Sequence, residues 1–114
     1  MEPHAKLWIE HEGKLVLSDY RVRLLALIAE TGSLAEAADR MQLSYRRAWG
    51  KVREIEANLG SKLVESAAGG PGGGGSRLTA EGERLVKMYQ RFQQAATEDV
   101  RGEFTRAFEG GLLS

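Results

Sequence analysis

The stretch GSLAEAADRMQLSYRRAW, from Gly32 to Trp49, decides the fold of this chain. It contains two helical patterns separated by a short break. Ser33 and Ser44 each precede an apolar-periodic run, where a serine side chain can cap a helix by accepting a backbone N–H. The stretch therefore predicts a short helix over 34–41 and a longer helix over 45–59.

The sequence supplies small residues where the two predicted helices would cross. Ala37 and Ala38 allow close approach, and Leu43 is an apolar residue in the turn between the helices. With the first turn of the second helix free, this arrangement predicts a helix-turn-helix that enters the major groove of double-stranded DNA. The competing interpretation is an ordinary helical hairpin inside a core.

The outward side of the second helix carries positive charge. Its predicted buried stripe is Ala48, Val52, Ile55 and Leu59. At about 100° per residue, the opposite side is centred on Arg46, Gly50 and Arg53. A merely solvated face usually includes acids, but none occurs between Ser44 and Arg53. Because arginine can reach guanine O6 and N7 or phosphates, this side is the predicted DNA-binding face.

Two residues of this helix each have two interpretations. Gly50 would let the helix backbone approach the groove closely, or it is an ordinary surface glycine. Trp49 packs partly in the core, or it contacts the sugar-phosphate edge. Arg47 and Trp49 flank the predicted face, whereas Tyr45 and Lys51 lie nearer the core boundary.

Two hairpins are predicted on either side of the helix-turn-helix. The candidate strands are 7–9, 15–17, 62–65 and 77–78. The first hairpin spans 6–17. The second spans 63–78 and has a glycine-rich tip at 69–75, which is predicted to be a wing that approaches the DNA backbone, with Arg77 behind it. A flexible linker is the alternative, and a phosphate-binding loop is not supported because the Gly-Lys-Ser/Thr signature is missing.

Two further helices complete the prediction. A helix capped by Ser18 or Asp19 runs to about Thr31 and has the apolar face Tyr20, Leu24, Leu27 and Ile28. Thr79 opens a last helix that reaches Phe108, and Gly102 is expected to weaken or kink it. Its apolar stripe is longer than a small body can cover, which favours a homodimer. The predicted interface consists of Leu85, Tyr89, Phe92, Ala96, Val100, Phe104 and Phe108.

The predicted fold is therefore mainly α with a small β component. It is a winged helix-turn-helix with an N-terminal hairpin, divided into a body at 1–78 and a C-terminal dimerisation helix at 79–114. The predicted DNA contacts are Ser33, Ser44, Tyr45, Arg46, Arg47, Trp49, Gly50, Lys51, Arg53, Gly74, Ser76 and Arg77.

Composition narrows the function. The formal net charge is zero, which argues against a nucleic-acid partner and favours the alternative of a protein–protein module. Cysteine is absent, and only His4 and His11 could supply imidazole, so no metal site and no cofactor are expected. No nucleophile–base pair indicates an enzyme. With no signal peptide or membrane-length apolar run, a cytoplasmic location is expected and a membrane partner is not.

The residues from Ser18 to Phe92 resemble the DNA-binding domain of the ModE family, bacterial molybdate-responsive regulators more distantly related to LysR-type proteins. The resemblance rests on the helix-turn-helix, the glycine run and the Leu-Thr-Ala-Glu-Gly segment at 78–82. It implies a dimeric winged helix with a recognition helix at 44–51 and a wing at 70–77.

Two departures from the family pattern stand out. Family members continue into a β-rich domain that binds molybdate, whereas this sequence stops at Ser114. The resemblance therefore implies no oxyanion site here, and either a stand-alone relative or a piece ending at the domain boundary. Gln42 occupies a turn position where glycine is common, so slight backbone strain is expected there.

Overall fold

A computed structural model describes residues 1–67 and 75–111 of the chain. In order, its elements are β1 (Trp8–His11), β2 (Lys14–Ser18), α1 (Asp19–Thr31), α2 (Leu34–Arg40), α3 (Tyr45–Leu59), β3 (Val64–Ala67), β4 (Gly75–Leu78) and α4 (Ala80–Phe108). This order confirms the predicted mainly α architecture with an N-terminal hairpin and a long C-terminal helix. Each predicted strand is displaced or extended by one or two residues.

Both strand pairs are antiparallel two-stranded sheets. In the first, Trp8 pairs with Ser18, and the register shifts at Ile9 and Glu10. The turn has positive φ at Glu12 (51°) and Gly13 (77°), as expected for a tight hairpin between twisted strands. In the second sheet, β3 and β4 pair from Val64↔Leu78 to Ala67↔Gly75.

Each helix begins at a side chain that accepts a backbone hydrogen bond. Ser18, Ser33, Ser44 and Thr79 cap α1, α2, α3 and α4 respectively, and each accepts from the N–H three residues later. These four caps supply partners for donors that a helix start leaves unpaired. Gln42 adopts a positive φ of 58°, which confirms the backbone strain predicted at this turn position.

One core connects the three-helix unit, both sheets and the start of α4. Its buried apolar residues are Val16, Leu17, Val22, Leu24, Leu25, Ile28, Leu34, Ala37, Ala38, Ala48, Val52, Ile55, Leu63, Val64, Leu78, Val86 and Tyr89. Two assignments from periodicity are corrected. Tyr20 is 44% exposed while neighbouring Arg21 is buried, and Leu59 is 37% exposed at the end of α3.

The Leu-Thr-Ala-Glu-Gly segment packs the start of α4 against the approach to β3. Thr79 donates its backbone N–H to the Leu63 carbonyl at 2.9 Å and its hydroxyl to the Lys62 carbonyl at 2.7 Å. A Cβ on Gly82 would overlap the same Leu63 oxygen. Glycine is therefore required for this close approach of helix and strand.

Tyr89 joins α4 to the N-terminal part of the chain. Its ring is 2% exposed, and its hydroxyl contacts the Leu7 carbonyl at 3.0 Å and the carboxylate of Asp19. Burial, followed by the hydrogen bond to Asp19, raises the pKa of Tyr89 above its ordinary value. This burial corrects the assignment of Tyr89 to the partner-facing stripe.

Beyond Tyr89, α4 continues away from the body. It runs unbroken from Ala80 to Phe108, so the predicted weakening or kink at Gly102 does not interrupt the helix. The molecule is consequently elongated, with extents of 60 × 32 × 23 Å. Within 1–67 and 75–111, no helix combines the length and apolar character needed to cross a membrane.

Candidate nucleic-acid interface

α3 is held in the body by contacts along one flank. The buried guanidinium of Arg21 donates to Glu54 at 2.8 Å and to the carbonyl of Leu15 at 3.2 Å. Asn58 donates its side-chain amide to the same Leu15 carbonyl at 2.9 Å. The hydrogen bond from Arg21, followed by the positive charge of its guanidinium, lowers the pKa of Glu54 below its ordinary value. Helix α3 is thus bound through side chains to α1 and β2.

The opposite flank of α3 is bonded to the strand that follows it. One carboxylate oxygen of Glu56 accepts the backbone N–H groups of Leu63, at 2.8 Å, and Val64, at 3.2 Å. Because a charged acceptor strengthens each bond, this contact fixes the path of the chain after Gly60. Together with Ala48, Val52 and Ile55 in the core, it leaves only the outward side of α3 uncovered.

The uncovered side carries the predicted arginines. Arg46, Arg47 and Arg53 are exposed, as is Gly50 between them. Among residues 1–67 and 75–111, no carboxylate lies within ion-pairing distance of these three guanidinium groups. The nearest acid along the helix, Glu54, is engaged by Arg21. The surface is therefore cationic and presents hydrogen-bond donors to solvent.

Two of the three serines predicted as DNA contacts, Ser33 and Ser44, are helix caps. Ser44 Oγ accepts the N–H of Arg47 at 3.1 Å, and Ser33 Oγ accepts the N–H of Glu36 at 3.1 Å. Each hydroxyl keeps its own proton for an outside acceptor, because a serine hydroxyl is both donor and acceptor.

Lys51 lies at the edge of the exposed side. It is half-buried, and its ammonium group stands 5.2 Å from the ring centroid of Tyr20. A cation over an aromatic face at this distance is attracted by the ring electrons. The contact explains the exposure of Tyr20, which periodicity alone assigned to the core.

Of the two interpretations of Trp49, the structure supports partial packing against the core. It is half-buried and packs against the core cluster, while its indole N–H donates to the hydroxyl of Tyr45 at 2.8 Å. The guanidinium carbon of Arg53 stands 5.3 Å from the Trp49 ring centroid. The tryptophan therefore contacts both the core and two exposed side chains of the same helix.

The start of β4, at the end of the second hairpin farthest from its base, lies beside the start of α2. Ser76 donates its backbone N–H to the carbonyl of Gly32 at 3.0 Å. A Cβ on Gly75 would approach that carbonyl oxygen to 2.6 Å, so only glycine fits without a backbone shift. The predicted wing residue Gly74 and most of the glycine-rich tip lie outside the described residues.

Arg77 is engaged in part within its own hairpin. Its Nε donates to Glu65 at 2.9 Å, in the register position where the two residues pair across the strands. The side chain is exposed, and its terminal nitrogens have no hydrogen-bond partner among the described residues.

Periodicity missed the polar residues that fix α3. Arg21 was assigned no role, although a lone arginine inside an apolar helix face is a signal for a buried ion pair. The helical pattern gave no signal for Glu56 or Asn58 either. Over the ranges that the structure describes, no group of three or more histidines or acids is placed to hold a metal ion.

The chain matches a known family over residues 20–83, described as bacterial regulatory helix-turn-helix protein, lysR family. It is 33% identical to the transcriptional regulator ModE of Yersinia pestis over 106 residues, covering 90% of this chain and 40% of the relative. It is 36% identical to the DNA-binding transcriptional dual regulator ModE of Escherichia coli K12, covering 82% of this chain and 36% of the relative. These relatives confirm the predicted resemblance.

A solved structure supports the same fold. The CbnR_DBD–DNA complex superposes with a TM-score of 0.58 at 27% identity and covers 77% of this chain and 93% of that one. The chain spans about two fifths of the length of the ModE relatives. The matched region runs from α1 to the start of α4. It contains the exposed arginines of α3 and the residues that position them.

Proposed function

The chain belongs to the lysR family of bacterial regulatory helix-turn-helix proteins, and we propose that it is a transcriptional regulator that binds double-stranded DNA through α3. The observation that carries this proposal is the set of exposed guanidinium groups of Arg46, Arg47 and Arg53, which have no acidic partner in the described parts of the chain. Phosphates and guanine edges supply the acceptors that this surface lacks.

The geometry favours insertion of the first half of α3 into the major groove. Arg46 and Arg53 lie near the centre of the outward side, and Gly50 between them leaves room for the backbone to approach DNA. Lys51 and Arg47 flank this centre, where phosphate contacts set the register of the helix. The core-bonded flanks of α3 keep the arginines in one orientation, which favours recognition of sequence over nonspecific attachment.

The second hairpin supplies the wing. The start of β4, at Gly75 and Ser76, lies beside the start of α2 because Ser76 donates its backbone N–H to the Gly32 carbonyl. Ser33 follows Gly32 in the chain, and Arg77 follows Ser76 in β4. We assign Ser33, Ser76 and Arg77, together with Gly74, to the DNA backbone, because hydroxyl, guanidinium and backbone N–H donors bind phosphate oxygens without regard to sequence.

Homodimerisation through α4 completes the proposal. Beyond the buried Tyr89, the helix carries an apolar row that the body covers only in part: Phe92, Ala96, Val100, Phe104 and Phe108. Phe92 and Phe108 are 44% and 43% exposed. A second copy of the same helix can cover this row with two-fold symmetry, which matches an inverted-repeat operator. Leu85 packs against the core and lies where such an interface would begin.

We infer from the family and the proposed partner that the protein acts on the chromosome, in the cytoplasm of a bacterium. The proposed binding needs no cofactor, because the acceptors on DNA and the donors on α3 are complementary by themselves. We therefore infer that DNA binding by these residues does not depend on molybdate.

Selection of bound fragments from a random DNA pool, with and without molybdate, tests this function. We expect a palindromic consensus that is the same under both conditions. The affinity for that consensus should fall steeply with salt, because a contact with several phosphates releases several counterions. Failure to retain any DNA above a scrambled pool would contradict the proposal and favour a protein–protein module instead.

A further inference from the structure

Three side chains on one flank of α3 form a contact series, here called the aromatic row: Tyr45, Trp49 and Arg53. They are four residues apart, so they lie above one another on successive turns. The indole Nε1 of Trp49 is 2.8 Å from the hydroxyl oxygen of Tyr45. On its other side, the guanidinium of Arg53 stands over the Trp49 ring at 5.3 Å.

The direction of the hydrogen bond in this row is fixed by chemistry. An indole N–H is a donor only, so the hydroxyl of Tyr45 must be the acceptor. Its own proton then points away from Trp49. Tyr45 is 53% exposed, and no described protein acceptor takes that proton. The hydroxyl is thereby prepared as an outward donor.

Trp49 differs from its two neighbours in the row because the body restrains it. Its ring is half-buried against the core cluster, so its N–H edge and its exposed face have set positions. Tyr45 and Arg53 have only solvent on their outer sides. Contact with a fixed ring reduces the rotamers that each must lose on binding, which is the usual gain from preorganisation.

We propose that Trp49 is a positioning residue for DNA recognition: its indole N–H turns the Tyr45 hydroxyl into a donor aimed at DNA, and its ring holds Arg53 beside it. The inference rests on the proposed function. The acceptors that fit are phosphate oxygens or the base atoms guanine O6, guanine N7, adenine N7 and thymine O4. Exocyclic amino groups do not fit, because they would meet a donor.

A double-mutant cycle in the full chain tests this inference. The affinities of the parent, Y45F, W49F and the double variant are measured on the selected DNA. We expect Y45F to weaken binding by about threefold to tenfold for each protomer of the dimer, the usual effect of losing one hydrogen bond. W49F should weaken the parent by a similar factor, but by less than about twofold in the Y45F background, because the indole N–H acts through the tyrosine hydroxyl.

An isosteric probe separates this role from packing. A tryptophan analogue with sulfur in place of the indole N–H, placed at position 49 alone, keeps the ring volume and the face under Arg53. It should reproduce the W49F effect on DNA affinity while leaving the melting temperature of the free protein close to that of the parent. This probe also decides the matter if W49F itself folds poorly.

Two outcomes overturn the inference while the proposed function survives. One is an equal cost of W49F in both backgrounds, and the other is an unchanged affinity in Y45F. If the parent has no preferred DNA at all, the proposed function fails instead, and the two failures are therefore distinct. Repeating the pool selection with Y45F identifies the acceptor: preference lost at one position indicates a base, and a uniform loss of affinity indicates a phosphate.

Discussion

Helix α3 and the distal part of α4, residues 91–108, both leave side chains uncovered, but the uncovered chemistry is opposite. On α3 the outward side presents arginine at three positions without an acidic partner in the described chain. On distal α4 the uncovered row is aromatic, and Phe104 and Phe108 contact each other at a ring separation of 4.7 Å. One surface needs negative charge, whereas the other needs apolar cover.

The way acids are distributed explains this contrast within a chain of zero net charge. Near α3, Glu54 pairs with Arg21 and Glu56 accepts backbone N–H groups, so these carboxylates are directed away from the outward side. On α4, two basic residues pair with acids three positions earlier: Arg84 with Glu81 and Arg106 with Glu103. The net charge of zero therefore combines a cationic surface on α3, which has no acidic partner in the described residues, with a helix α4 whose charges balance locally.

The largest expected effect comes from removing the cations of α3. Replacing Arg46, Arg47 and Arg53 together by alanine should lower the affinity of the dimer for its operator by at least about a thousandfold. Each such arginine is worth about 1–3 kcal/mol, and a dimer presents two copies. Titration of labelled DNA by fluorescence anisotropy measures the loss.

A matched control removes three exposed arginines from α4 instead. The variant Arg84→Ala, Arg91→Ala and Arg106→Ala changes the net charge by the same amount, yet it should keep DNA affinity within about a few fold. Equal losses in the two triple variants would show that total charge, and not the surface of α3, drives binding. The distinction between the exposed surface of α3 as the DNA-binding surface and that of α4 would then be wrong.

The second effect comes from adding charge to the apolar row of α4. Phe104→Glu with Phe108→Glu should make the protein monomeric, because carboxylates would face each other across the two-fold axis. Light scattering after gel filtration measures the mass. Affinity for an inverted repeat should drop by about a hundredfold as avidity is lost, while affinity for a single half-site stays close to that of the parent. If the double variant has the same mass in solution as the parent, the proposed interface is wrong.

Local signals in the sequence were sufficient for most of the fold. Helix starts were predicted because a cap such as Ser44 acts within three residues, and the α3 helix was placed from Tyr45 to Leu59 as the structure has it. The outward arginines followed from the same periodicity, since an amphipathic helix with one buried stripe fixes what lies opposite.

The features that the sequence did not predict depend on contacts between residues that are far apart in the chain. Tyr89 has the spacing of an interface residue, but its hydroxyl contacts Leu7 and Asp19, which lie 82 and 70 positions away. Tyr20 has the spacing of a core residue, but it lies under Lys51 of another helix. Periodicity gives the face of a helix, and only the packing of other elements decides what covers that face.

The smallest expected effect is on the melting temperature and concerns Glu54, the acid that borders the outward side of α3. Glu54→Gln removes the charge that Arg21 binds and leaves that buried guanidinium mainly with backbone carbonyl partners. At pH 7 we expect the melting temperature to fall by about 2–5 °C. Since the pKa of Glu54 is lowered in the fold, its stabilisation is present above the ordinary value of 4.5 and is lost as pH falls through the lower folded pKa.

The melting temperatures of parent and E54Q should therefore differ at neutral pH and converge in acid, where the carboxyl group is protonated in both the folded and unfolded chain. Glu98→Gln is the matched control, because Glu98 is exposed on α4 and pairs with no cation in the described residues; it should leave the melting temperature nearly unchanged at every pH. A gap between parent and E54Q that stays constant down to pH 3 would mean that loss of shape, and not loss of charge, destabilises the variant. Arg21 would then not be what keeps this carboxylate from weakening the cationic surface of α3.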